Sequence, residues 1–452
     1  MRYMDDSVLP SKLLTDLTLA AEIIRGHDFI HIYSHFDTDG LTAAGIAAKA
    51  LARAGKEFIV TIFPTLTESQ MQVIEEAEDE CVLVTDLGAS YVKRFDAMKQ
   101  DVVILDHHTV GDLATRVCYA NPHLYGIDGM TSGCGASMSF LFAITLDEKN
   151  WDLAPLSIIG MVGDRQHLNG MSGINSYIFA EASKRGMVKT MQGSLIPYGN
   201  ISTELYMSTE PFIKGVSGDS DGTRRFLEEA GIGPDKNLSN LTPEESIKLS
   251  SMIAVKLIEQ GVTRDKLEEC ARTRYYLPSW GTDAETMSSV INACGRQEQP
   301  GVGVSVCLGD GSALEQAKYI DADSRKKVMD AVCDIVNKSK IQEMDHIVWF
   351  DSSDSGYTGM LCGVVMSFLG NPNKPTIGVN CSESMAKASS RGTFPLLDRG
   401  VDLADAMKRG CASVGGEGGG HRIAAGGSFD SARRDEFLKN VDKIVGEQMS
   451  KH

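Results

Sequence analysis

His35, Asp37 and Asp39 stand at alternate positions in SHFDTDG, directly after the apolar run FIHIY. Alternate side chains of an extended segment point the same way, so an imidazole and two carboxylates could converge on a hard or borderline cation. A second group, Asp106-His107-His108, follows the run VVIL. Packing explains a carboxylate and two imidazoles at a strand end poorly, because polar groups there need partners, and a cation supplies them. Asp86 ends another apolar run, and Asp164 ends a segment, DLAPLSIIGMVGD, with apolar residues at helical spacing. Together these groups would crowd several negative charges into one place, which disfavours folding unless cations balance them. Two divalent cations roughly 3.5 to 4 Å apart are the recurring arrangement for in-line displacement at phosphorus. Oxygen ligands mixed with imidazole favour manganese or magnesium over structural zinc, with manganese preferred.

Elements must carry these groups to one place. Between residues 28 and 168, short apolar runs alternate with helical stretches, which predicts an α/β domain with a mainly parallel sheet. Residues 29–33, 81–84 and 102–105 read as strands, and LTAAGIAAKALARAG reads as an Ala-rich helix after the first of them. In open α/β sheets ligands collect outside the carboxyl ends of strands, where all three polar clusters fall. Residues 195–285 differ in texture: a Gly/Ser/Asp-rich loop (GVSGDSDG) precedes helices, one of them with Thr242 and Glu245 spaced as a capping box. Strands and helices then alternate again through HIVWF, GMLCGVVMSFLG, PTIGV and the glycine-dense VGGEGGGHRIAAGGSF, ending in the helix EFLKNVDKIVGEQM. This last part reads as a second α/β domain.

The motifs His35-x-Asp37-x-Asp39, Asp86, Asp106-His107-His108 and Asp164 resemble, in order, motifs one to four of the DHH phosphoesterase superfamily. Gly418-Gly419-Gly420-His421, with Ala424, Ala425 and Gly426 behind it, resembles the signature of the DHH-associated domain. Ser389-Ser390-Arg391-Gly392 resembles that domain's Ser/Arg phosphate-binding motif, and Asn292-Ala293-Cys294-Gly295-Arg296 resembles a motif of RecJ-type nucleases. The stretches 121–129 (NPHLYGIDG), 210–215 (EPFIKG) and 283–310 look like archaeal RecJ-like proteins, including the GINS-associated nuclease.

The resemblance implies a metal held by His35, Asp37 and Asp86, and a second held by Asp39, Asp86, His107 and Asp164. It implies that His108 contacts the scissile phosphate. Asp106 is expected either to orient its neighbours or to cap the strand end. Arg296, Ser389, Ser390, Arg391, Gly419, Gly420 and His421 are the implied substrate contacts: glycines let backbone N–H groups approach a phosphate, and arginine offers a planar donor fork. The organisation it implies is a DHH catalytic domain over 1–195, a helical connector over 196–285 and a DHH-associated domain over 286–452. The active-site cleft is expected between the two α/β domains.

Composition bounds the function. The chain has 452 residues, 42% of them apolar, and a net charge of −17, which argues against a broadly basic coat for nucleic acid. It leaves room for a nuclease whose binding depends on divalent cations. The ten cysteines contain no CxxC pair, so neither a zinc finger nor a thioredoxin-like site is supported. No basic-then-apolar leader and no membrane-length apolar stretch occur, so a cytoplasmic location is expected. The leading expectation is an exonuclease acting on single-stranded DNA or RNA in replication or repair, with GINS or other replisome proteins as implied partners. The alternatives are a short-oligonucleotide or cyclic-dinucleotide phosphodiesterase, and a replisome scaffold related to the eukaryotic helicase activator. A family II pyrophosphatase fits least, because the glycine motif and the insertion suit a polymer better than a diphosphate.

Overall fold

The computed structural model describes residues 9–191 and 195–450. The chain folds as two compact units, each built from two segments: residues up to 192 with Thr273–Ala322, and Gly193–Arg272 with Asp323–His452.

In the first unit five strands lie parallel in the order β2-β1-β3-β4-β5. They are β1 (Phe29–His35), β2 (Glu57–Phe63), β3 (Cys81–Thr85), β4 (Asp101–Leu105) and β5 (Cys118–Ala120). Every residue of β3 is buried, as its unbroken apolar sequence CVLVT requires of a strand covered on both faces. Helices α1 (Ser11–Arg25), α2 (Thr38–Arg53), α3 (Gly135–Leu146), α4 (Ala154–Gly163) and α5 (Ala284–Arg296) complete the frame. Helix α2 starts at Asp37, whose side chain accepts from the Gly40 amide, and its Ala/Gly-rich body is buried along most of its length. Ile30, Leu41, Ile46, Leu83, Phe140 and Ile159 share one core with Met287, Ile291, Val304 and Ile320.

That core places residues 286–322 in the first unit, whereas the sequence pattern groups them with the C-terminal domain. The reason is their amphipathic character: the apolar side of α5 finds its cover on α2 and α4, which no local sequence signal announces. A small antiparallel sheet of Lys189–Met191, Arg274–Leu277 and Thr282–Asp283 belongs to the same unit. Tyr275 within it is buried edge-on against Phe179, so it serves packing.

In the second unit, Gly193–Arg272 is mainly helical, with helices such as Ser220–Ala230 and Pro243–Glu259; the latter carries the expected capping box of Thr242 and Glu245. Six strands form its sheet: β6 (Gln342–Glu343), β7 (Val348–Asp351), β8 (Thr376–Asn380), β9 (Met385–Arg391), β10 (Glu417–His421) and β11 (Ala424–Asp430). Their order is β10-β11-β9-β8-β7-β6, with β7 and β8 parallel and the other neighbours antiparallel. The glycine-dense run is therefore a strand pair. No described helix is long and apolar enough to cross a membrane.

Candidate metal centre

The carboxyl ends of β1, β3 and β4 deliver His35, Asp86 and the Asp106-His107-His108 group, while the first turn of α2 and the end of α4 deliver Asp39 and Asp164. Two groups of three have donor atoms within 4.8 Å of one another: His35, Asp37 and Asp86, and Asp39, His107 and Asp164. Asp86 also lies within the same distance of His107 and His108, so it stands between the two groups. Asp39 and Asp86 are almost wholly buried, and Asp86 adopts a left-handed backbone, φ 55°, unusual for a residue with a side chain.

Both histidines are held the same way. His107 Nδ1 lies 2.8 Å from the Gly129 carbonyl, which can only accept, so Nδ1 carries the proton. Nε2 is thereby aimed at Asp86 (3.2 Å) and Asp39 (3.7 Å). His35 Nε2 lies 3.1 Å from the Pro64 carbonyl, which leaves Nδ1 between Asp37 (3.2 Å) and Asp86 (3.5 Å). His35 Nδ1 and Asp86 Oδ1 are buried and make no hydrogen bond. Two lone-pair nitrogens pointed into carboxylates repel unless a cation or proton lies between, so the donor set fits divalent metal ions.

The charge balance tells the same story. Burial and the neighbouring Asp86 push the Asp39 carboxyl well above its ordinary range, and burial pushes Asp164 up to about 6. Burial would also raise Asp86, but the His107 and His35 imidazoles hold it below the usual carboxylate range. Burial works against charge on both rings, yet His35 is raised to about 10 by Asp37 and Asp86, and His107 is raised chiefly by Asp86. In the absence of metal, the carboxylates thus demand protons on the histidines. Two amides at the start of α3 also answer this charge: Gly135 N and Ala136 N donate to the two oxygens of Asp39 at 2.7 and 2.9 Å. A Cβ at Gly135 would stand 2.6 Å from the Asp86 Cβ, so only glycine admits this approach.

Asp106 lies outside both groups. Its carboxylate accepts from Ala89 N (2.7 Å), His107 N (2.7 Å), His108 N (3.2 Å) and His108 Nδ1 (2.8 Å). It therefore both caps the strand end and orients His108, whose ring is half-exposed and raised to about 8, first by its Asp106 hydrogen bond. A chain of amides that sequence reading missed backs the centre. Ser137 Oγ donates to Asn175 Oδ1 (2.5 Å), and Asn175 Nδ2 donates to Gln166 Oε1 (2.7 Å). Gln166 Nε2 in turn donates to Asp164 Oδ2 (2.7 Å) and to the Gly129 carbonyl (2.8 Å) that fixes His107. The only sequence signal was the nearness of Gln166 to Asp164.

Of the expected substrate contacts, Arg296 is exposed at the end of α5 in the first unit. The preceding Gly295 is pressed on the Phe36 carbonyl, between His35 and Asp37; a Cβ there would stand 1.8 Å from that oxygen. The others lie on neighbouring strands of the second unit. Arg391 and His421 both pair with Ala424, and Ser389 and Gly419 both pair with Gly426, so each set shares a face. Gly420 pairs with Ala425. Ser390 is out of phase and buried, its hydroxyl bonded to the Ala425 carbonyl at 3.0 Å.

Residues 29–161 match the family described as DHH family, N-terminal domain, and residues 318–447 match the DHHA1 domain. An uncharacterized protein of Methanocaldococcus jannaschii is 30% identical over 95% of this chain and 96% of its own. Among solved structures, RecJ of Thermus thermophilus in complex with Mn2+ superposes with a TM-score of 0.59 at 17% identity; the match covers 97% of this chain and 55% of that one. Exonuclease RecJ bound to manganese gives 0.57 at 17% identity, with 97% and 96% covered. CDC45 of Entamoeba histolytica gives 0.65 at 10% identity, with 96% and 99% covered. The fold and the two matched domains define a member of the DHH superfamily, and the chain belongs to it. Within that superfamily its architecture is RecJ-like.

Proposed function

We propose that this protein is a metal-dependent phosphodiesterase, an exonuclease that hydrolyses single-stranded DNA or RNA from an end. The observation that carries the reading is the paired histidine geometry: each ring is fixed to a carbonyl through one nitrogen and aims the other at the buried Asp86 and a second carboxylate, Asp37 for His35 and Asp39 for His107. His35, Asp37 and Asp86 would hold one divalent cation, and Asp39, Asp86, His107 and Asp164 the other, with Asp86 shared. Cations bound there supply Lewis acidity and lower the pKa of water toward neutrality.

The chain's own groups do the rest. Asp106 holds His108 by Nδ1, so Nε2 is the nitrogen left to donate to an oxygen of the scissile phosphate. A ring raised to about 8 is mostly charged at neutral pH and suits an anion. Arg296 extends donors beside the metal loop, and Ser389, Arg391, Gly419, Gly420 and His421 offer hydroxyl, guanidinium, amide and imidazole donors on one sheet for backbone phosphates. Manganese is the expected activating ion.

A second reading rests on the CDC45 superposition: a replisome scaffold, with GINS or similar proteins as partners. Digestion of end-labelled single-stranded DNA and RNA oligomers with manganese separates the two, with the Asp86→Ala plus His107→Ala variant as control. Stepwise shortening from one end, lost in the variant, supports the nuclease. Cleavage of dinucleotides alone moves the assignment to a short-oligonucleotide phosphodiesterase, and no cleavage of either favours the scaffold.

A further inference from the structure

Helix α4 ends in a turn whose bonding pattern is usually completed by glycine. Arg165 N donates to the Val162 carbonyl and Gln166 N to the Met161 carbonyl, both at 3.0 Å, and Arg165 itself takes a left-handed backbone, φ 58°. This is the Schellman arrangement, in which glycine is favoured because a Cβ is strained there. Here the position is held by an arginine. A strained non-glycine backbone beside an active centre points to a use for the side chain.

The neighbours of Arg165 are fixed and its own side chain is exposed. Asp164, one residue before it, places Oδ2 3.8 Å from His107 Nδ1, and Gln166, one residue after it, is buried and bonded to that same Oδ2. The Arg165 backbone therefore sits in a rigid relation to the metal centre, while the side chain is on the surface. Its guanidinium is a planar fork of donors on the residue next to Asp164, at the edge of a centre lined by carboxylates and imidazoles. We infer that Arg165 grips a backbone phosphate of the single-stranded substrate next to the scissile bond. This rests on the nuclease reading and extends it by one substrate-binding residue.

The test is steady-state cleavage of a dye-labelled single-stranded oligonucleotide at several salt concentrations, with wild type, Arg165→Gly and Arg165→Lys. Loss of one charge-assisted phosphate contact is expected to raise KM about tenfold in Arg165→Gly, with kcat little changed. The slope of log kcat/KM against log salt should become shallower by about 0.7, the value for one phosphate contact on a single strand. Arg165→Lys should restore the slope while recovering only part of KM. The melting temperature of Arg165→Gly should stay at or above the wild-type value, since glycine relieves the turn. Unchanged KM and slope in Arg165→Gly, with active wild type, overturn the inference and leave the nuclease reading standing. A lowered melting temperature with an intact slope overturns it also, by showing the side chain to be structural. Inactive wild type sinks the nuclease reading and this residue's role together.

Discussion

One carboxylate orients the His108 imidazole and anchors the backbone of both adjacent histidines. Asp106 receives three backbone amides and the His108 ring, and it belongs to neither candidate ligand group. Asp106→Ala is therefore expected to cost about 10- to 100-fold in activity or metal affinity, the usual effect of removing a supporting partner. Retention of full activity would show that the strand end holds the histidines unaided. The raised His35 and His107 make a second expectation. Below their folded pKa values the rings hold protons, and a ring must lose its proton before its lone pair can bind metal, so manganese affinity should rise from pH 6 to pH 8. Calorimetry in buffers of different ionisation heat should register proton release on binding, and its absence would refute the account. At this scale much of the centre was legible: His35, Asp37, Asp39, Asp86, His107 and Asp164 were all marked by position at element ends, and they converge. Asn175 was not legible and Gln166 was marked only by its nearness to Asp164, because an amide side chain carries no spacing signature and the Gly129 carbonyl and Ser137 lie on other segments.

At the scale of elements, the loop that carries Asp37 and Asp39 depends on a helix that arrives from far along the chain. Helix α5 brings Gly295 against the Phe36 carbonyl, and Thr38 Oγ1 donates to the Ser288 carbonyl at 2.9 Å. Gly295→Ala must push the loop away, with an expected loss of about 1–3 kcal/mol and a matching loss of activity, read by denaturant unfolding and the cleavage assay. An unchanged midpoint would mean that the loop yields freely. The parallel strands were readable because β1, β3 and β4 are apolar runs ending in polar clusters. Strand β9 was not, since MAKASSR alternates small and polar residues with no apolar run. The glycine run hid its strands for a related reason: Gly418 and Gly427 pack on the Cys411 sulfur and leave no side chain to show an alternation.

For the whole molecule, the charge of −17 and the buried carboxylates make divalent cations a stability term. Asp39 and Asp164 have folded pKa values above their unfolded ones, so their contribution favours folding only at low pH and turns against it as pH rises through the folded values. At neutral pH manganese should offset this: at about 100 times its dissociation constant it adds roughly 2.7 kcal/mol, a shift of a few degrees in melting temperature. Asp86→Asn should abolish the shift, and an equal shift in that variant would place the ions elsewhere. The domain plan was the least legible feature. Three consecutive segments were the natural reading, yet the first unit reclaims Thr273–Ala322 after the chain has built Gly193–Arg272 of the second.

That return has a consequence during synthesis. On the ribosome, Asp37 and Asp39 emerge long before Gly295, and at roughly 5–20 residues per second the delay is on the order of tens of seconds. Through that interval Leu41 and Ile46 lack the cover that Ile291 and Val304 later give. The strands can pair earlier, but the loop that carries Asp37 and Asp39 meets Gly295 only after that residue has been made.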